Sequence, residues 1–221
     1  SYGLSAYYMN YGGNGSNVYA VKTGTKYPNK KFIICAHFDD MPSGSLAPGA
    51  DDNGSGTSAV LEAARLLAPY SFDYTIIFAA FDEEERGLWG SRAFADTSLL
   101  RQDSIVFVFN YDMIAWDGNN DYRADLITNS NSLTITDNIK LIFNLYEPQM
   151  YPNRVLNNNM QSSDHWYFWQ RGYRAFCGIE YMSDFNPYYH TINDNYSHVI
   201  MNFFHGFTQA AIASLMIYSN D

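Results

Sequence analysis

Four short runs constrain this chain more than anything else in it: "KFIICAHF", "DYTIIFAAF", "SIVFVFNYDMI" and "YRAFCGIEY". Each is apolar almost throughout and rich in β-branched and aromatic residues. A strand of that kind is buried on both faces, which requires helices on both sides of the sheet. The segments between the runs supply them. "GSGTSAVLEAARLLAPY" has helical periodicity and stops at Pro69, and "GLWGSRAFAD" reads as a short helix. "SLTITDNIKLIFNLYEP" predicts a helix from about Thr136, and "SSDHWYFWQRG" one capped by Ser162 or Ser163. "YSHVIMNFFHGFTQAAIASLMIYS" predicts a long C-terminal helix, and "VYAVKTGT" alternates like an earlier strand after the glycine-rich loop "GGNGSN". The expected fold is α/β, three layers α/β/α around a central mixed, mostly parallel sheet.

The chain has 221 residues and 47% hydrophobic content, enough for one domain with a sizeable core. No apolar run approaches the roughly 20 residues that span a bilayer, and no leader pattern is visible. The chain begins at Ser1 rather than Met, so a removed leader and a single domain, 1–221, excised from a longer secreted precursor are equal expectations. A net charge of −10 argues against nucleic acid as a partner. Cys35 and Cys177 fall in buried strand runs and form no disulfide framework. High Asn, Tyr and Ser with little Lys suits a secreted, periplasmic or extracellular protein.

Open α/β sheets bind ligands beyond the carboxyl ends of their strands. Those ends read His37-Phe38-Asp39, Asp82-Glu83-Glu84-Glu85, Tyr111-Asp112 and Glu180. Taken singly, each has an ordinary explanation. Asp39, two residues from His37 on the same side of an extended segment, can cap the imidazole. Asp51 and Asp52 in "PGADDNGSG" can cap a helix, and acids suit a helix start at "DEEERGLWGS". Together they do not look ordinary. The chain has five histidines, and His37 and His190 both fall at the expected active edge among carboxylates. Two imidazoles and several carboxylates suit a pair of zinc-like ions, with one carboxylate bridging them. Such ions would also neutralise the crowding at Glu83 to Glu85.

At this point the sequence resembles the aminopeptidase Y family of co-catalytic zinc exopeptidases, relatives of secreted bacterial leucyl aminopeptidases, glutamate carboxypeptidase II and glutaminyl cyclases. "HFD", "GADDNGSG", "EERGLWGS", "YDM" and "YHT" occur in the family's order from about Asn17 to the C-terminus, and "SDHWYFWQRGYRAF" matches a further segment. The resemblance implies His37 and Asp112 on a first metal, Glu85 and His190 on a second, and Asp52 bridging them. It implies Asp39 and Asp51 as supporting residues, Glu84 as general base, and a cis peptide at Asp52–Asn53. Tyr189 is the implied oxyanion donor, with Tyr188 as competitor. Two zinc ions are implied, with manganese or cobalt compatible with the same ligands. The implied reaction is aminopeptidase hydrolysis of peptides with a free N-terminus, by a monomer. The alternative is a glutaminyl-cyclase-like acyltransferase or a carboxypeptidase. The latter would need arginines for a substrate carboxylate, and Arg154, Arg171 and Arg174 are the candidates. The family usually has a helix and a strand before the segment that starts near Asn17, and about sixteen residues precede it here.

Other features lead elsewhere. "DGNNDYRAD" has oxygens at alternating positions but Tyr122 where a calcium loop needs glycine, so it reads as a polar turn. His165 is either a neighbour of the site or a helix-start residue. His198 and His205 are expected in the C-terminal helix. Asn14, Asn53 and Asn195 stand in sequons, that of Asn53 inside the metal loop. Tyr181, Met182 and Phe185 are expected to line a pocket for an apolar side chain.

Overall fold

The computed structural model describes residues 2–13, 15–42 and 46–220. The Asn14 sequon lies outside the described residues. Eight strands form one sheet in the order β1-β2-β4-β3-β5-β8-β6-β7. They are β1 (Ala6–Asn10), β2 (Ser16–Lys22), β3 (Tyr27–His37), β4 (Tyr74–Phe81), β5 (Ser104–Tyr111), β6 (Arg123–Thr128), β7 (Tyr151–Leu156) and β8 (Ala175–Glu180). Four of the seven pairings are parallel: β3 with β4 and β5, β5 with β8, and β6 with β7. The others, β1–β2, β2–β4 and β6–β8, are antiparallel, so the sheet is mixed as expected.

The helices are α1 (Gly54–Leu67), α2 (Trp89–Leu100), α3 (Leu133–Tyr146), α4 (His165–Gln170) and α5 (Met201–Tyr218). Strand β3 shows why the layers form. Phe32, Ile34 and Ala36 pack with α1, α3 and α5 residues such as Ala63, Phe143 and Phe207. Ile33 and Cys35 point the other way, into a core with Phe94 of α2 and Phe168 of α4. Each such large apolar side chain contributes roughly 1.5–3 kcal/mol through burial. Cys35 and Cys177 are both buried and free.

Three strands have no counterpart in the sequence reading: β1, β6 and β7. β1 and β7 close the two edges of the sheet and are largely exposed, so they lack the apolar run that marks a central strand. Pro152 inside β7 is tolerated because the strand has a neighbour on one side only. The polar turn expected around Asp117–Asp125 is present, and its last residues, from Arg123, are already β6. Helix α3 begins at Leu133, before the expected Thr136. Asp164 rather than Ser162 or Ser163 precedes α4. The C-terminal helix begins at Met201, and His198 belongs to a separate 3-10 turn, Tyr196–His198, while His205 is in α5. Among the described residues no helix is long and apolar enough to cross a membrane.

Candidate metal centre

The parallel strands β3, β4 and β5 lie side by side and end at the same edge, which brings their exit residues together. The acidic turn after β4 sorts its four acids. The Asp82 carboxylate accepts from the Ser16 and Glu83 amides, each at 2.9 Å. Glu83 adopts φ +56°, and its side chain turns out toward Arg86, 3.4 Å away. The next two amides, of Glu84 and Glu85, donate to the Asp39 carboxylate at 3.0 and 3.2 Å. Gly90 closes the turn from behind. A Cβ there would sit 2.3 Å from Asn17 Oδ1 and 2.4 Å from the Asp82 carbonyl.

Asp39 therefore works differently from the sequence expectation. Its carbonyl oxygen, not its carboxylate, is the nearer partner of His37, 3.1 Å from Nδ1 against 3.6 Å for Oδ1. A carbonyl only accepts, so Nδ1 carries a proton and Nε2 faces the cluster. The Asp39 carboxylate holds the acidic turn as well as lying beside the imidazole.

The loop before α1 contains the expected cis peptide at Asp52–Asn53. Asn53 caps α1, accepting from the Gly56 amide at 2.9 Å, and donates to the Tyr111 carbonyl at 3.0 Å. The Asp51 carboxylate does not touch either imidazole. It accepts from the Ala115 amide and from Asn186 Nδ2, both at 2.8 Å, and so ties the loop to the exit of β5. Burial raises the neighbouring Glu180 well above the usual carboxylate range, reinforced by Asp51, and its carboxylate accepts from the Asn186 amide at 2.6 Å. Asp194, which sequence reasoning missed, accepts from the Asp51 and Asp52 amides, each at 3.0 Å. Ser163 was also missed as a contact. Its hydroxyl donates to Asp112 Oδ2 at 2.6 Å and accepts from Asn110 Nδ2 at 2.7 Å.

The remaining side chains converge. His37 Nε2 lies 3.3 Å from both Asp52 Oδ1 and Asp112 Oδ1. His190 Nε2 lies 3.2 Å from Asp52 Oδ2 and 2.9 Å from Glu85 Oε2. Nitrogen and oxygen ligands about 2.0–2.1 Å from a tetrahedral zinc stand about 3.3 Å from one another. The observed separations match that edge length, and Asp52 presents one oxygen to each imidazole. His37 with Glu84 and Asp112, and His37 with Asp52 and Glu85, form two sets whose donor atoms lie within 4.8 Å. Distance alone thus admits Glu84 as readily as Glu85. Contacts separate them: Glu85 meets His190, whereas the Glu84 carboxylate has no hydrogen bond or ion pair among the described residues.

The electrostatics of the side chains alone point to missing positive charge. Burial raises Glu84 to about 10, with Asp112, Asp164 and Glu85 adding to it against His37. Burial and Asp52 raise Glu85 to about 7. Burial would raise Asp52 too, but hydrogen bonds from His190 and His37 bring it to about 2. Burial alone would lower His37, yet Asp112, Asp39 and Asp52 outweigh it and hold the ring well above its usual value. A buried cluster whose carboxylates hold an imidazole above its usual value is one where metal ions displace protons.

The cavity over this cluster is about 200 Å³ and is lined by His37, Asp52, Glu84, Glu85, Asp112 and Tyr189 on its polar side. Met113, Met160, Ile179, Met182 and Phe185 form the apolar side, so two of the three expected pocket residues are there. Tyr181 is not; its hydroxyl accepts from Arg123 at 3.2 Å. The Tyr189 ring stacks on His190 at 3.6 Å. Tyr188 instead stacks on His198 at 3.7 Å, away from the cavity. His165 is the first residue of α4 and is fully buried against Trp169. Arg154 pairs with Asp137 and Arg171 with Asp96, and neither they nor Arg174 line the cavity.

Comparison with known proteins gives the arrangement a family. Over 104 residues, 45% of this chain and 22% of the relative, it is 36% identical to a probable zinc metalloprotease of Pyrenophora teres f. teres. Over 182 residues, 79% of this chain and 38% of the relative, it is 30% identical to aminopeptidase YwaD of Bacillus subtilis. Among solved structures, BSAP, a zinc aminopeptidase from Bacillus subtilis, superposes with a TM-score of 0.80 at 26% identity, over 93% of this chain and 50% of that one. The chain thus spans at most half the length of these relatives. The sequence model of peptidase family M28 matches residues 17–215, from β2 to the last turns of α5, and with every one of the clustered imidazoles and carboxylates inside that span the chain belongs to peptidase family M28.

Proposed function

We propose that this chain carries the catalytic site of a two-zinc aminopeptidase that removes N-terminal residues from peptides. The observation that carries the reading is that His37 and Asp112 on one side, and Glu85 and His190 on the other, meet at the two oxygens of Asp52 at ligand spacing, with Glu84 half-buried beside them and bonded to neither imidazole. The names of the relatives, a zinc metalloprotease and an aminopeptidase, support zinc and the reaction class. His37 and Asp112 would hold one ion, Glu85 and His190 the other, and Asp52 would bridge them. Bound ions at such a site make water acidic enough to supply hydroxide near neutral pH and polarise the scissile carbonyl.

The chain's own residues do the rest. Cations among these carboxylates would bring Glu84 down from its high pKa toward the range a general base needs. Glu84 then accepts the proton of the attacking water and passes it to the departing amine. Tyr189 keeps its hydroxyl proton, because burial, Asp52 and Glu85 all push its pKa up. It is placed to donate to the developing oxyanion. The carboxylates around the cluster attract a free N-terminal ammonium, and the methionine-rich wall with Phe185 accepts an apolar side chain. The arginines that a carboxypeptidase would need are engaged elsewhere or absent from the cavity. A secreted, periplasmic or extracellular location is part of the same proposal, supported by composition alone.

Metal analysis combined with an assay on free and N-blocked aminoacyl arylamides tests it. About two zinc ions per chain and cleavage of free substrates only are expected. Cleavage confined to the blocked substrates would reject the aminopeptidase reading.

A further inference from the structure

A second cleft lies at the far edge of the sheet, and its chemistry is the reverse of the metal centre's. It measures about 450 Å³ and is lined by Arg123, Lys140, Asn144, Tyr151, Pro152, Asn153 and Tyr181. Two cations face it and no carboxylate lines it, in a chain with 23 acidic and 13 basic residues. We propose that this cleft is a binding site for small anions bearing a carboxylate or phosphate group.

The fold builds the site from three elements. β6 and β7 pair in parallel with Arg123 opposite Tyr151 and Asp125 opposite Asn153. β8 runs antiparallel to β6 with Glu180 opposite Ala124, which places Tyr181, the next residue, beside Arg123. Lys140 and Asn144 stand one turn apart on α3 and therefore share a face.

The donors are free to bind. The Arg123 guanidinium stacks on Tyr181 at 5.2 Å and donates to its hydroxyl, while Asp121 lies 3.5 Å from its Nε. Of five N–H donors, three remain without a protein partner among the described residues. The Tyr181 hydroxyl, having accepted from Arg123, keeps its own hydrogen to donate. Lys140 has no hydrogen bond or ion pair among the described residues. Asn153 is held in place by donating to Asp125 at 2.8 Å. A planar fork, an ammonium and a phenol around one cleft match a carboxylate or phosphate, and an anion relieves the repulsion between the two cations.

The cleft shares no lining residue with the metal-centre cavity, so the proposal does not rest on the peptidase reading. The test is thermal unfolding in sodium succinate, in inorganic phosphate and in sodium chloride at matched ionic strength. It compares wild type with Lys140→Gln and Asn144→Asp, whose melting in chloride checks that they fold. Anion uptake at the metals is common to all three proteins and cancels in the comparison. Wild type is expected to half-saturate at about tenfold lower succinate or phosphate than Lys140→Gln, and Asn144→Asp to lose the response beyond that common part. The anion that saturates at the lower concentration identifies the preferred headgroup. Equal responses in all three proteins, or none in wild type beyond chloride, would overturn the assignment.

Discussion

The two halves of the proposed metal centre are built to different standards. His37 and Asp112 leave the adjacent central strands β3 and β5 and are almost completely buried. Both are held from behind, His37 by the Asp39 carbonyl and Asp112 by Ser163, which Asn110 holds in turn. Glu85 and His190 come from a turn and a loop. The His190 side chain is 32% exposed, its backbone takes φ +57°, and its Nδ1 has no partner among the described residues. A side chain locked by a second layer of hydrogen bonds presents its ligand atom at little further entropic cost, while a loop ligand must be ordered by the ion it binds. The strand-end half is thus expected to keep its ion longer than the loop half.

The harshest way to break this division is the carboxylate assigned to neither half. Glu84→Gln is expected to lower kcat by about 10²–10⁴-fold with both ions retained. Loss of an ion in that variant would make Glu84 a ligand and redraw the boundary. A narrower test removes only the support. Ser163→Ala is expected to weaken the strand-end ion by about 10–100-fold in a chelator competition, leaving the loop ion unchanged. An unchanged pair of affinities would mean that the second layer does not distinguish the halves.

Acid stability probes a different buried group, His165 of α4. Burial lowers this ring from its usual 6.5 to about 3. The unfolded chain takes up a proton below about 6.5 and the folded one does not, so stability is fully present above 6.5 and is lost as pH falls toward 3. At pH 5 the loss attributable to His165 is roughly 2 kcal/mol. Urea unfolding of chelator-treated wild type and His165→Gln at pH 7.5 and 5 isolates it, because the raised acids Glu84 and Glu85 titrate in both proteins. The variant's change between the two pH values should differ from wild type's by that amount, in the direction of greater stability at pH 5. The smallest effect is expected at the turn's outward acid. Glu83→Gly relieves a left-handed residue at the cost of a weak exposed pair with Arg86. Activity should stay within about twofold, and stability should change by at most about 1 kcal/mol. A large loss of metal would show that the three glutamates were sorted wrongly.

Size does not mark the centre. A groove of about 500 Å³ between β1, β2 and α2 is larger than the metal-centre cavity, yet it holds none of the clustered imidazoles and carboxylates. What marks the centre is donor chemistry at strand ends, and that was legible in the chain. "HFD" and "YDM" each follow an apolar run, and the family resemblance of "EERGLWGS" is what distinguishes the proposed roles of Glu84 and Glu85. The edge strands were not legible, because β1 and β7 are exposed and lack that pattern.

Local order along the chain determined the layered fold and which residues reach the active edge. Both follow from periodicity and turn chemistry within a few residues, which short-range sterics and burial enforce. Tertiary structure alone decided how those residues are held. Asp194 reaches Asp51 across 143 positions, Asn186 reaches the Asp51 carboxylate across 135, and Ser163 reaches Asp112 across 51. The double role of Asp39, carbonyl on the imidazole and carboxylate on the acidic turn, likewise appears only once β3 and β4 lie side by side. Such contacts depend on the packing of separate elements, and no spacing in the sequence encodes them.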